Sequence, residues 1–168
     1  MGAWGITMRE SDYGLDLLMS IEDRQLKAVD FSVFNVADAL EIIKEDIIEE
    51  IRKANRGCNG EEFVFYFSEN FPRNFSWGAI LLAECLADYY RTGELILYES
   101  TDASRDLVER HIKEFVITKD TLKILLDELQ IVQDPEHEIY QCWIDDETRM
   151  KWLEHIQSVY QTLKEHMK

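Results

Sequence analysis

The sequence predicts a mainly α-helical protein: one domain over residues 1–168, a bundle of about six helices with room for one or two short strands. Three observations predict it. Only two prolines, Pro72 and Pro135, punctuate the chain, and proline is the residue that most strongly ends a helix. Apolar residues recur at three- and four-residue steps in several segments, which is the period of one helix face. Hydrophobic residues make up 46% of the composition, enough to build a core and too many for a disordered chain. The length suits one domain.

Taken in order, the first helix begins after Ser11 or Asp12, either of which can cap it, with Leu15, Leu18, Met19 and Leu26 as its apolar face. Gly14 weakens it slightly. The second runs from about Val36 to Arg56. Val36, Leu40, Ile43, Ile47 and Ile51 fall on one side, and Asp38, Glu41, Glu45 and Glu49 on the other. Asn55 to Gly60, with two glycines, marks a helix end and turn. Between Phe63 and Phe67 aromatic and aliphatic residues alternate with a period of two, which predicts a strand, although the length also permits a loop or a short helix. Asn70, Pro72 and Asn74 then read as turns.

A third helix is expected from about Trp77 to Arg91, apolar over much of its circumference and so central, and ended by Gly93. Leu95 to Leu97 reads as a short strand or packed loop. A fourth helix is expected over about Asp102–Phe115 and a fifth over about Lys119–Val132 behind Thr118. Glu138–Trp143 reads as a short helix or turn. The last helix spans about Asp146–Met167, with Trp152, Leu153, Ile156, Val159, Tyr160 and Leu163 on one face. Asp145, Asp146 and Glu147 suit its positive N-terminal end.

Several of these segments also form a pattern. Met1-Gly2-Ala3-Trp4-Gly5, then Asp12 and Gly14-Leu15-Asp16-Leu17-Leu18, resembles the opening of a bacterial family classed as a domain of unknown function, whose members begin Gly-Ala/Thr-Trp-Gly. Ala79 to Ala87, containing Glu84, is similar to that family's Ala-rich helix, and Tyr140-Gln141-Cys142-Trp143 with Trp152 to its spaced tryptophans before a final helix. Met8 and Gly14 depart from the family's Phe and Ala, and the Phe-rich stretch has no counterpart in it. The resemblance implies a mostly helical single domain and no activity.

Charge narrows the function classes. Asp and Glu number 34 against 18 Lys and Arg, for a net charge of -16. Nucleic acid and anionic membrane surfaces both require clustered cations, so neither is expected as a direct partner. The longest apolar run, Trp77–Ala87, is interrupted by Glu84 and is shorter than the roughly 20 residues a membrane span needs. The N-terminus has no basic segment followed by an apolar one, and Cys58, Cys85 and Cys142 are odd in number and scattered. Both point to a cytoplasmic protein with free thiols.

Candidate chemistry is sparse. Gly2, Trp4 and Gly5 read either as a ligand loop or as an anchor for the N-terminus. Asp12 and Asp16, one turn apart, read as paired carboxylates or as helix-end charges. Glu84 lies inside an apolar helix, where a carboxylate serves as an acid or base, pairs with Arg91 or another base, or marks an exposed face. His111, His137, His155 and His166 lack HExxH or other zinc spacing, and His137 stands in the acidic run Asp134–Glu138. The cysteines form no CxxC pair, Gly57–Gly60 lacks the lysine and hydroxyl of a phosphate loop, and there is no GxSxG. No catalytic residue, metal site or cofactor is therefore predicted.

The stripe Asp38, Glu41, Glu45 and Glu49 reads as the partner-binding face or as a solvated one. The aromatic run Phe63–Phe75 reads as core or as interface anchors. The leading expectation is a non-enzymatic acidic domain that binds a basic protein, such as an immunity protein neutralising a nuclease-type toxin. The alternative is a small enzyme or ligand-binding domain with Glu84, Asp12 or Asp16 in a helix-lined cleft.

Overall fold

One long helix is the axis on which the other elements pack. The computed structural model describes residues 6–26, 33–100, 107–143 and 145–167. A 3₁₀ turn at Met8–Glu10 leads into α1 (Asp12–Ile21), which continues as a π-helical turn over Glu22–Leu26. β1 (Val33–Asn35), α2 (Val36–Ala54), the axial α3 (Gly60–Thr92), β2 (Leu95–Ser100), β3 (Leu107–Ile112) and β4 (Glu114–Val116) follow, then α4 (Lys119–Ile131), α5 (Glu138–Gln141) and α6 (Asp146–Glu165). The architecture is mainly α, as the composition and periodicity require. Gly2, Trp4 and Gly5, and with them the opening of the family-like pattern, lie outside the described residues.

Helix ends are set by the residues the sequence supplies for them. Ser11, Asn35, Thr118 and Asp145 accept hydrogen bonds from first-turn N–H groups of α1, α2, α4 and α6. Asn59 and Glu62 form a reciprocal capping box on α3. Gly93 ends α3 at φ 84°, a left-handed conformation that favours glycine.

The Phe-rich strand and the turns after it are not observed. Residues 60–92 are one continuous helix of 33 residues. Phe63, Phe67, Phe71 and Phe75 recur every four residues and pack against the core. Phe67 stacks on Phe71 at 4.8 Å between centroids, and Phe71 on Phe75 at 5.9 Å. Val64, Phe65 and Tyr66 face solvent instead. The period of two thus arises where a buried and an exposed aromatic row run side by side. Pro72 sits within this helix. Interior proline costs about 3 kcal/mol, and stacked rings contribute about 0.5–1.5 kcal/mol per pair beyond their burial, so the ladder through Phe71 offsets much of that cost.

The helix expected over Asp102–Phe115 is replaced by strands where the chain is described; its residues 102–106 lie outside the described residues. β3 pairs antiparallel with β2, from Leu95 opposite Ile112 to Ser100 opposite Leu107, and β4 pairs parallel with β1, Phe34 opposite Phe115. Val108, Ile112 and Val116 are spaced four apart and imitate a helix face. Tertiary pairing overrides that pattern, since β2 needs a partner and Phe115 is clamped between Phe34 (5.0 Å) and Tyr89 (4.6 Å).

The core is one continuous cluster. Every residue from Ser76 to Ala87 is buried, with α2, α4, α6 and the N-terminal 3₁₀ turn wrapped around α3. The buried side of α2, Val36, Leu40, Ile43, Ile47 and Ile51, is the one its periodicity indicates. α2 approaches α3 so closely that a Cβ on Gly78 would lie 2.6 Å from Ile43 Cγ2. The expected face of the first helix is corrected: Leu17 and Leu18 are buried, but Leu15 and Met19 are exposed. Among the described residues no helix is long and apolar enough to cross a membrane.

Candidate functional site

Three helices and the N-terminal turn converge on the most apolar part of α3. On α3, Glu84 and Asp88 are four residues apart and share a face. On α6, His155 and Val159 do the same. Leu15, Leu18 and Met19 on α1, and Glu22 at the start of the π-helical turn that continues it, fall at helical spacing. These stripes line a cleft of about 680 Å³.

Gly14 sets the geometry of the fourth wall. A Cβ there would stand 1.9 Å from the Met8 carbonyl oxygen, so only glycine lets the 3₁₀ turn lie against α1. Ser11 locks the same corner: its hydroxyl donates to the Met8 carbonyl (2.7 Å) and accepts from the Gly14 N–H (3.0 Å). With the turn fixed, the N–H groups of Met8 and Arg9 point at Glu84.

Glu84 is only 3% exposed. Its Oε1 accepts from the Met8 N–H at 3.1 Å and lies 2.8 Å from His155 Nε2; its Oε2 accepts from the Arg9 N–H at 3.3 Å. A buried carboxylate is costly unless it is hydrogen-bonded and paired, and these three donors supply that. In the tautomer whose Nε2–H donates to Glu84, Nδ1 is the His155 nitrogen that can accept a further hydrogen bond. The Arg9 guanidinium is itself occupied, pairing with Asp88 and donating to the Ile96 carbonyl at 3.2 Å. One buried glutamate thereby joins the N-terminal turn, α3 and α6 at the floor of the cleft. Next to it, burial pushes the Cys85 thiol up to about 12, so it is no thiolate nucleophile.

Of the candidate carboxylates, Glu84 alone enters this site, and among the candidate histidines His155 is its partner. Arg91 instead reaches α6 through the Ser158 and Thr162 hydroxyls, at 3.0 and 2.9 Å. Asp12 and Asp16 are exposed and do not line the cleft. His137 caps α5, His111 lies 2.9 Å from Glu94, and His166 stacks on Tyr90. Among the described residues no group of three or more His, Cys, Asp or Glu could hold a metal ion.

The stripe on α2 is solvent-facing at Asp38, Glu41, Glu45 and Glu49. Three of its carboxylates have cationic neighbours: Glu41 with Lys44 at 2.6 Å, Glu45 with Arg24 at 2.9 Å, and Glu49 with Lys53 at 2.8 Å. Lys53 holds Glu49 below its usual carboxylate value through a hydrogen bond and its charge. The surplus is not confined to this helix: Glu61, Glu62 and Glu69 on α3, Asp120 and Asp127 on α4, and Glu147 and Glu154 on α6 are exposed too.

Arg9 and Asp88 are site residues that the sequence analysis does not name, and His155 appears there only among histidines without zinc spacing. Signals are present for both Asp88 and His155: Asp88 lies one turn beyond Glu84 on the same face, and His155 borders the apolar face of α6. Met19 is an expected apolar position of the first helix, and Arg9 carries no signal.

No family model, curated protein or solved structure matches this chain.

Proposed function

We propose that this chain is a binding domain whose site is the cleft between the N-terminal turn, α1, α3 and α6. The observation that carries this is the buried Glu84, held by two backbone N–H groups and His155 at the floor of a cavity of about 680 Å³. Ligand sites are concave, of about 300–1,000 Å³, mostly apolar, with a few fixed polar groups. Leu15 and Met19, exposed at 48% and 65%, supply apolar surface at the mouth. A methyl-NMR survey with small fragments tests it. Fragments should shift the Leu15, Met19 and Val159 methyl signals, and Met19→Trp, which fills the mouth, should abolish the effect. Shifts scattered over the surface, or unchanged in Met19→Trp, would refute the assignment.

A second reading is recognition of a basic protein, such as a toxin domain, by the acidic face of α2 in a cytoplasmic setting. One observation favours it. Arg24 bonds both Glu45 and Asp46 on α2 while its neighbours Glu22 and Asp23 line the cleft, so face and cleft adjoin. Exposed ion pairs contribute little, about 0–1 kcal/mol, and a partner's cations can displace them. Reversing Glu41, Glu45 and Glu49 to Lys should weaken association and flatten its salt dependence. Binding that is indifferent to both the reversal and salt would remove this reading.

A further inference from the structure

We infer that the cleft and the strip of α1 beside it together seat a basic amphipathic segment of another polypeptide, with its apolar side chains in the cleft and its lysines or arginines against carboxylates on the rim. This assignment of a partner class deepens the binding-site reading and rests on it. Three observations carry it. The cleft has apolar walls at Leu18, Leu97 and Val159. Its apolar surface continues past the mouth, because Leu15 and Met19, one turn apart on α1, are 48% and 65% exposed. Beside that strip stand Glu10, Asp12 and Asp16, all exposed. Among the described residues none of these three side chains has a hydrogen bond or an ion pair. Asp12 lies three residues before Leu15 and Asp16 three before Met19, so each is a helical neighbour of an apolar side chain, and Glu10 lines the cleft itself.

The shape and charge of this surface select the occupant. The interior acids are already held: Glu84 by Met8, Arg9 and His155, and Asp88 by Arg9 and Arg91. Cationic contacts therefore fall on the rim, outside the cavity. A small molecule would fill the cavity and leave the strip and its carboxylates in water. From Asp12 to Met19 the strip runs about 10 Å along the helix axis, about two turns. An amphipathic helix matches that length, with apolar anchors at i, i+3, i+4 and i+7 for the groove and charges on either side. A second copy of this chain would bring a net charge of -16 and the same carboxylates to the mouth, and like charges across an interface oppose association.

The experiment titrates the full chain, at neutral pH, with three synthetic peptides of about 14 residues, some four helical turns. One is an amphipathic leucine/lysine peptide, one has the same composition shuffled so that its leucines share no face, and one is the amphipathic leucine/glutamate counterpart. The leucine/lysine peptide should shift the Leu15, Met19 and Val159 methyl signals and saturate, with an affinity that falls as salt is added. The shuffled peptide, equal in charge, should bind about tenfold or more weakly, and the leucine/glutamate peptide should not saturate. Glu10→Lys/Asp16→Lys should weaken the leucine/lysine peptide about fivefold or more. That loss should exceed the one caused by reversing Glu41, Glu45 and Glu49 to Lys, although the triple reversal changes the net charge further. Asp16→Asn alone, which adds no bulk, should act in the same direction, and circular dichroism checks that each variant is folded. If the triple reversal weakens binding more, or the shuffled peptide binds as tightly, the attraction is general and the proposal fails. If small fragments shift the cleft methyls but the leucine/lysine peptide does not, the partner class is wrong while the cleft remains a binding site. If neither shifts them, both readings fail. If the chain alone sediments as a dimer that Met19→Lys dissociates, the occupant is a second copy and the proposal is overturned.

Discussion

Replacing Glu84 should destabilise the protein in a graded way, because three donors depend on two oxygens. Glu84→Gln keeps one carbonyl oxygen. Placed where Oε1 stands, it still accepts from Met8 and His155, but its NH₂ then faces the Arg9 N–H, donor against donor. Orphaning one buried N–H costs about 1–3 kcal/mol, so a loss of about 2 kcal/mol is expected. Glu84→Leu removes every acceptor and leaves His155 and two backbone N–H groups unmatched. The expected loss is larger, about 1–3 kcal/mol for each buried N–H left without its acceptor. For a chain of this size each kcal/mol moves Tm by about 2–4 °C, so Glu84→Gln should melt about 4–8 °C lower and Glu84→Leu lower still. Thermal unfolding followed by far-UV circular dichroism measures the order. A double-mutant cycle with His155→Ala should show coupling above about 0.5 kcal/mol, since the side chains touch. If both Glu84 variants unfold within about 0.5 kcal/mol of the parent, as neutral surface changes do, the glutamate does not hold the site together.

Gly14→Ala should destabilise by about 1–3 kcal/mol, as overpacking does, even though alanine is the better helix former, because its Cβ meets the Met8 carbonyl; amide exchange at Met8 and Arg9 should accelerate, and a more stable variant would contradict this. In the native protein a thiol reagent at about pH 8 should modify Cys142 and Cys58 and spare Cys85, which is fully buried and held protonated by its raised pKa; modification of all three at similar rates would be inconsistent with the core. Burial first, then the charges of Asp46 and Asp16, push Glu50 above the usual carboxylate range. Its ionised form is therefore disfavoured in the fold, and a raised folded pKa means stability lost as pH rises through it. Glu50→Gln should stabilise at neutral pH, and the gain should vanish at acidic pH where both states are protonated; a gain that grows on acidification would reverse the sign.

Much of the fold was legible in local chemistry. The caps Ser11, Asn35, Thr118 and Asp145 and the buried side of α2 are local features, and local features are what a sequence displays. The errors occurred where distant pairing decides. Phe63–Phe67 alternates in sequence, but the Phe ladder at four-residue spacing governs its structure. Residues 107–116 carry a helical spacing, yet they pair with β2 and β1. The site was half legible. Glu84 declares itself as a charge in an apolar helix. Its partners, an imidazole 71 residues away and two backbone N–H groups 75 and 76 residues before it, have no local signature. The close approach at Gly14 that aims those N–H groups appears in the sequence only as a glycine in a poor place for one.

Intermolecular NOEs between a small apolar fragment that binds and selectively methyl-labelled protein test the central claim, that the cleft is the binding site, most directly. The fragment's protons should give NOEs to the Leu15, Leu18, Met19 and Val159 methyls, which line the cleft, and these should disappear in Met19→Trp. NOEs to the exposed aromatic row of α3 or to α2 instead, or signals that persist in Met19→Trp, would place the guest elsewhere and contradict the account.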